Sequence, residues 1–242
     1  MSTLIAAPPT TENRILNSLP PEEYERLTRY LEPVKMAFGD VLCHPDEKIT
    51  HAYFPNRGTV SLVSNFEDGG SVEVGMVGNE GMFGVTVILG SISTPLEAIV
   101  QIAGDGLQIR AEVLKKEFNK GGKLQDLLLR YTQALITQIA QTAACNRAHS
   151  TEGRLVKWLL MCQERAHSNE LDLTHEFIAT MSGTRRAGVT EAASTLQRDG
   201  LISYKRGHIT ILDRDGLEAL SCECYQIVRK EFARLVSSNG HA

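Results

Sequence analysis

The segment Thr174-His175-Glu176-Phe177-Ile178-Ala179-Thr180-Met181-Ser182-Gly183-Thr184-Arg185-Arg186-Ala187-Gly188-Val189-Thr190-Glu191, continuing to Leu212, decides the reading of this chain. Thr174 is a good N-cap for a short helix over His175 to Met181. Ser182-Gly183-Thr184 is a tight break, because Gly183 can take the positive φ that a sharp helix–helix turn needs. Thr184 can cap a second helix, Arg185 to Asp199, which Gly200 ends at the usual C-terminal glycine position. Val189, Ala192, Ala193 and Leu196 give that helix an apolar face of small residues suited to close packing. Its other face carries Arg185, Arg186, Thr190, Glu191, Ser194 and Gln197. Beyond it, Leu201 to Tyr204 and His208 to Leu212 alternate as a hairpin around Lys205-Arg206-Gly207.

Two helices, a glycine turn and a basic hairpin are the layout of a winged helix-turn-helix, whose second helix is narrow enough for a DNA major groove. On that reading Arg186, Thr190 and Glu191 are the candidates to meet base edges. Arg185, Lys205 and Arg206 are the candidates for phosphate, with His208 close by. Local charge agrees. The whole chain of 242 residues has a formal net charge of −4, but residues 182–210 hold Arg185, Arg186, Arg198, Lys205 and Arg206 against Glu191 and Asp199 alone.

Working outward, residues 151–166 continue as a helix through Leu155, Trp158, Leu159 and Cys162. Upstream of it, Leu124, Leu128, Tyr131, Leu135, Gln138, Thr142 and Cys145 step by four and three, with Ile136 and Ile139 widening the apolar face. A stripe this regular suits a seam between two identical helices. The first six residues are therefore the expected dimerisation set, and burial on the chain's own core is the competing use. From Val34 to Ile109 the period changes. Ala52 to Phe54, Val60 to Val63, Ser71 to Val77, Val85 to Leu89 and Ala98 to Ile102 read as strands. Turn signals separate them at His44-Pro45-Asp46, Pro55 to Gly58, Asp68 to Gly70, Gly78 to Gly81 and Gly104 to Gly106. Residues 12–31 read as two short helices broken before Pro20-Pro21. The expected class is α+β. An antiparallel β-roll with N-terminal helices fills 1–122, a long dimerisation helix 123–150, and the winged helix-turn-helix 151–242.

At this point the chain resembles the Crp/Fnr transcription regulators, over nearly its whole length. The resemblance rests on Ile178 to Arg186, Val189, Leu196 and Asp199 to Ser203, and in the first half on Gly58-Thr59-Val60 and Gly78 to Gly84. It implies a homodimer that binds an inverted-repeat operator, a guanine-reading role for Arg186, phosphate contact by Thr174 and His175 where the first helix meets the DNA backbone, RNA polymerase as a partner, and a small-molecule effector at the β-roll. Two positions depart from the family pattern: Ala187 stands where an acidic base reader often follows the arginine, and Glu191 where cAMP-type members carry a second arginine. Glu191 can still accept from cytosine N4. The cyclic-nucleotide pocket of the family also takes a Gly-Glu pair and an arginine. Here Gly84-Val85 replaces the pair and Gly90 to Pro95 lacks the arginine. Residues 58–109 hold no Lys or Arg but six acids: Glu67, Asp68, Glu73, Glu80, Glu97 and Asp105. A buried phosphate needs a paired charge or several backbone donors, so cyclic nucleotide binding is not expected.

Other classes are weaker. The cysteines, five in all, form no C-x-x-C pair. Cys222 and Cys224 are close but lack a second pair, and Cys43, Cys145 and Cys162 lie far apart. All five read as core or surface thiols, with no metal ligand set and no cofactor. His149 reads as a polar hinge residue. Gly78, Gly81 and Gly84 are not followed by a phosphate-binding helix, and no G-x-S-x-G or H-E-x-x-H occurs, so an enzyme is not expected. No apolar run reaches membrane-spanning length and Met1 to Thr11 has no signal-peptide character, so the cytoplasm is the expected compartment. A β-barrel ligand-binding or protein-interaction scaffold that never touches DNA is the alternative reading.

Overall fold

A computed structural model describes residues 11–235, so all of the stretch Met1 to Thr11 except Thr11 lies outside the described residues. The chain opens with two short helices, α1 (Arg14–Asn17) and α2 (Pro21–Thr28). Asn13 fastens the first to the β-domain. Its side-chain oxygen accepts from the Ile15 and Leu16 N–H groups, while its Nδ2 donates to Pro55 O and Gly81 O.

The β-domain is a five-stranded antiparallel sheet of β1 (Glu32–Met36), β2 (Val41–Cys43), β3 (His51–Asn65), β4 (Ser71–Val77) and β5 (Glu97–Arg110). The order is β1-β5-β3-β4, with β2 also on β5. Pro33 is tolerated because β1 is an edge strand.

Two sequence expectations are corrected here. Pro55 to Gly58 and Gly104 to Gly106 are not turns. They face each other inside β3 and β5, in a stretch where the register shifts repeatedly. The glycines permit a close approach of backbones: a Cβ on Gly104 would overlap the Arg57 carbonyl, and one on Gly106 would crowd Phe54 O. Val85 to Leu89 is a helix, α3, despite its β-branched run. Gly84 and Gly90, with φ of 109° and 102°, bend the chain at both ends, and the Gly90 N–H closes the turn on Thr86 O and Val87 O. Val87 and Ile88 then face the core.

After α4 (Ala111–Phe118) comes the long helix α5 (Lys123–Ala148), then α6 (Thr151–Ala166). The expected seam on α5 is also corrected. Leu124, Leu128, Tyr131, Leu135 and Gln138 are buried within their own chain. Tyr131 fills the space beside Gly81 and packs on Phe232. The Gln138 amide accepts from Met76 N–H at 2.6 Å and donates to Met76 O at 3.2 Å, pairing with the edge of β4 as a strand would. Thr142 accepts from Lys157 Nζ at 3.3 Å. The stripe is taken up by the β-domain and by the C-terminal helix that carries Phe232. The face of α5 that stays open is Leu129, Gln133, Ile136, Ala140 and Ala143, a second four–three series.

The remaining elements are β6 (Glu170–Asp172), α7 (His175–Met181), α8 (Arg186–Arg198), β7 (Ile202–Lys205), β8 (His208–Ile211), α9 (Arg214–Leu220) and α10 (Glu223–Arg234). The strands form a three-stranded sheet, β6-β8-β7. Of the helices, α8, α9 and α10 pack on α6, and α7 packs on α8. The three-residue β6, opposite β8, has too few residues to show an alternating pattern in the sequence. Among the described residues no helix is long and apolar enough to cross a membrane.

Candidate nucleic-acid interface

The helix–turn–helix forms from local chemistry. Thr174 Oγ1 accepts from Phe177 N–H at 3.1 Å and starts α7. Gly183, at φ 57°, turns the chain, and Thr184 N–H closes back on Ala179 O at 3.0 Å. The N-cap of α8 is Arg185 rather than Thr184, and its side chain makes no capping bond, so it is left exposed to solvent. Val189, Ala192, Ala193 and Leu196 are all buried, as their spacing demands. In the hairpin, Lys205 pairs with His208, so the turn itself is Arg206-Gly207, with φ of 52° and 87°. Two successive positive φ values are the signature of the tight primed turns that match strand twist.

This frame sets the candidate side chains. Arg186 is 70% exposed and reaches Glu176 at 3.5 Å, an ion pair that solvent screens almost completely. Thr190, one turn on, is exposed and donates to Arg186 O; Glu191 and Ser194 are also exposed. Arg185, Lys205 and Arg206 are exposed and, among the described residues, form no ion pair. Thr174 lies at the surface beside Gly207 of the hairpin. His208 pairs with Asp172 across the sheet.

His175 has a different part from the phosphate contact expected of it. Its ring stacks on Tyr204 at 3.9 Å and 17°, and its Nδ1 lies 3.1 Å from Thr190 Oγ1. Burial, then the nearby Arg186 charge, lower its pKa and so favour the neutral imidazole. It is a strut joining α7, α8 and the hairpin. Gln197, which the helical pattern puts on the outward face, accepts from Tyr204 N–H at 2.7 Å and holds the hairpin to α8.

Three further constellations join distant parts of the chain, which is why no local pattern announces them. In the first, Arg165 of α6 and Glu80 of the β-domain form a buried ion pair at 2.7 Å, with Arg165 also donating to Met161 O. The second is a polar chain through the β-domain core. Trp158 Nε1 donates to Glu73 at 3.0 Å, Ser61 Oγ lies 2.6 Å from the same carboxyl and also bonds Gln101, and Gln101 Nε2 donates to Cys162 Sγ. One hydroxyl proton cannot serve both Glu73 and Gln101. With Glu73 protonated, its O–H donates to Ser61, Ser61 donates to Gln101, and every atom is satisfied. Burial pushes the Glu73 pKa up to about 7, in keeping with a neutral acid. The third gathers Cys145 and His149 with the neighbouring pair Cys222 and Cys224, which the sequence left without a second pair, and brings their ligand atoms within 4.8 Å of one another.

The β-domain also holds a cavity of about 180 Å³ between the sheet, α3 and α5. Its walls are apolar, with Leu62, Met82, Phe83 and Leu135 among them, and hydroxyls come only from Thr86 and Thr94. No cation lines it. Glu80 does not face it and is held by Arg165.

The Cyclic nucleotide-binding domain model matches residues 33–120, and the Crp-like helix-turn-helix domain model matches residues 153–220. The two matches stand in the family order on either side of the long helix. The chain belongs to the Crp/Fnr family of transcription regulators. It is similar to the transcriptional regulator SdrP of Thermus thermophilus, 27% identical over 203 residues that cover 81% of this chain and 96% of that one. It is also similar to the global nitrogen regulator of Synechococcus elongatus, 26% identical over 72% of this chain and 83% of the relative. Among solved structures, FixK2 from Bradyrhizobium japonicum superposes with a TM-score of 0.68 at 17% identity, covering 79% of this chain and 98% of FixK2. A CRP/FNR-family transcriptional regulator from Thermus thermophilus gives 0.59 at 23% identity, covering 78% and 98%. These likenesses show the fold. As a Crp/Fnr-type regulator the chain pairs a cyclic-nucleotide-binding-like domain with a helix-turn-helix, and its relatives are regulators rather than enzymes.

Proposed function

We propose that this chain is a homodimeric, sequence-specific DNA-binding regulator, acting in the cytoplasm with RNA polymerase as a partner. In this reading residues 1–122 sense, 123–150 pair the two chains, and 151–242 read DNA. The observation that carries it is the surface made by α8 and the hairpin. Arg186, Thr190 and Glu191 stand exposed on the helix, and Arg185, Lys205 and Arg206 stand beside them with no ion pair among the described residues. Arg186 takes the base-reading role, because a guanidinium fork at the start of a groove-bound helix can meet guanine O6 and N7. Thr190 and Glu191 read neighbouring bases, and Thr174, Arg185, Lys205 and Arg206 hold phosphate.

The chains pair through the open face of α5, where Leu129 and Ile136 are apolar and exposed and Ala140 and Ala143 allow close approach. An effector in the β-domain cavity is uncharged and largely apolar, in keeping with walls that offer no partner for phosphate. Its binding shifts α5 and so the spacing of the two α8 helices. Selection of bound duplexes from a random pool tests this reading. The expected product is an inverted repeat with half-sites about 10–11 bp apart. A single asymmetric motif contradicts the dimer, and failure to enrich any sequence contradicts DNA reading altogether.

A further inference from the structure

The end of α5 and the start of α10 meet at the joint that leads into the reader domain. Cys145 and His149 lie four residues apart at the C-terminus of α5, where His149 is the C-cap and its N–H bonds Cys145 O at 3.1 Å. Cys222 is the N-cap of α10 and Cys224 follows in its first turn. Helical spacing thus turns Cys145 and His149 to one side, and the start of α10 delivers two more thiols opposite them.

The dimensions suit one ion. Tetrahedral Zn²⁺ with Zn–S of about 2.3 Å and Zn–N of about 2.0–2.1 Å has ligand atoms about 3.5–3.8 Å apart. Cys145 Sγ lies 3.6 Å from Cys222 Sγ, and Cys224 Sγ lies 3.7 Å from His149 Nδ1. All the ligand atoms fall within 4.8 Å of one another, a span that suits one ion rather than a multi-iron cluster. Outer groups fit as well. His149 turns Nδ1 inward, and its Nε2 lies 3.4 Å from Glu223 Oε2. Carboxylates commonly orient metal-bound imidazoles in this way. Lys157, buried beneath the same joint, lies close enough to act electrostatically on Cys145 and Cys224. Three thiolates and one dication leave a single negative charge for its ammonium to balance.

We propose that Cys145, His149, Cys222 and Cys224 form a Cys₃His site for Zn²⁺ that clips α10 to the α5–α6 joint. On binding, the three thiols release their protons to solvent. His149 gives its Nδ1 lone pair to the metal and keeps the Nε2 proton, which it donates to Glu223. The clip joins elements distant in sequence, so metal occupancy stiffens the path between the β-domain and the reader domain.

The test uses the full chain, purified under reducing conditions without chelator. Elemental analysis is expected to give one Zn²⁺ per chain. After removal of metal, Co²⁺ is expected to produce the visible absorption of tetrahedral thiolate coordination, and Zn²⁺ to bind with sub-micromolar Kd and raise Tm. Cys222→Ser with Cys224→Ser should abolish stoichiometric binding, while Cys43→Ser and Cys162→Ser, at thiols outside the cluster, should leave it unchanged. Glu223 is largely exposed, so Glu223→Gln should fold normally and weaken Zn²⁺ binding about 10–100-fold. The proposal is overturned if wild-type protein binds no Zn²⁺, if binding survives the double Cys variant, or if anaerobically prepared chain carries a Cys145–Cys222 disulfide in place of metal.

Discussion

The β-domain core and the reader surface treat charge in opposite ways. In the core, charge is suppressed: Arg165 is matched to Glu80, and burial within a chain of hydrogen bonds pushes the Glu73 pKa up to about 7. On the reader surface, Arg185, Lys205 and Arg206 stand without counter-charges among the described residues. Burial explains the contrast, since an unpaired charge in the core costs several kcal/mol while water screens one at the surface almost fully. On the proposed reading, the second region suits a polyanion and the apolar cavity of the first suits a ligand that brings no charge.

The comparison breaks most sharply at the buried ion pair. Arg165→Met is expected to lower stability by about 3–5 kcal/mol, because Glu80 is left as a lone buried carboxylate. Combining it with Glu80→Gln should recover part of the loss by removing that charge. Urea unfolding of the three proteins measures both, and no recovery in the double variant would show that Arg165 acts by packing alone.

Glu73 gives the next largest effect. Its folded pKa of about 7 lies above the ordinary carboxyl value of 4.5. The folded state therefore binds the proton more tightly than the unfolded state. The stabilising contribution is complete below about pH 4.5 and is lost as pH rises through about 7, a change of up to about 3 kcal/mol. Glu73→Gln keeps a neutral side chain of the same size. It should remove this part of the pH dependence and make the protein more stable than wild type at pH 8. Identical pH profiles of Tm for the two proteins would contradict a neutral Glu73. The smallest effect concerns the cavity: cAMP and cGMP at millimolar concentration should give no saturable heat in calorimetry. Micromolar binding would show that backbone donors can replace the missing cation.

The stretch from Thr174 to Leu212 was legible because its caps and turns are set by chemistry within a few residues, whereas β6, α9 and α10 were not read from the sequence. Thr174 caps, Gly183 and Gly200 turn, and Arg206-Gly207 closes a hairpin, all where the sequence places them. The β-domain was legible in class but not in detail. Flanking glycines made a helix of Val85–Leu89, and the turn-like Pro55 to Gly58 lies within a bulged strand. On α5 the helical spacing was readable, but periodicity does not reveal what lies against each face. The stripe through Leu128 and Leu135 turned to the β-domain, leaving Leu129 and Ile136 open. Long-range neighbours such as Cys145 and Cys222, or Glu80 and Arg165, have no local signature at all. The spacing of Cys145 with His149 and of Cys222 with Cys224 was visible, but not that α10 returns to the end of α5.

The central claim is that α8 reads bases while the hairpin holds phosphate. Binding isotherms at several salt concentrations, on a selected duplex and a scrambled one, test it directly. Arg186→Ala should cost about 1–3 kcal/mol on the selected duplex and little on the scrambled one. Lys205→Ala and Arg206→Ala should weaken both duplexes by similar factors and each reduce the salt slope by about one unit. Equal loss on both duplexes for Arg186→Ala would contradict the account.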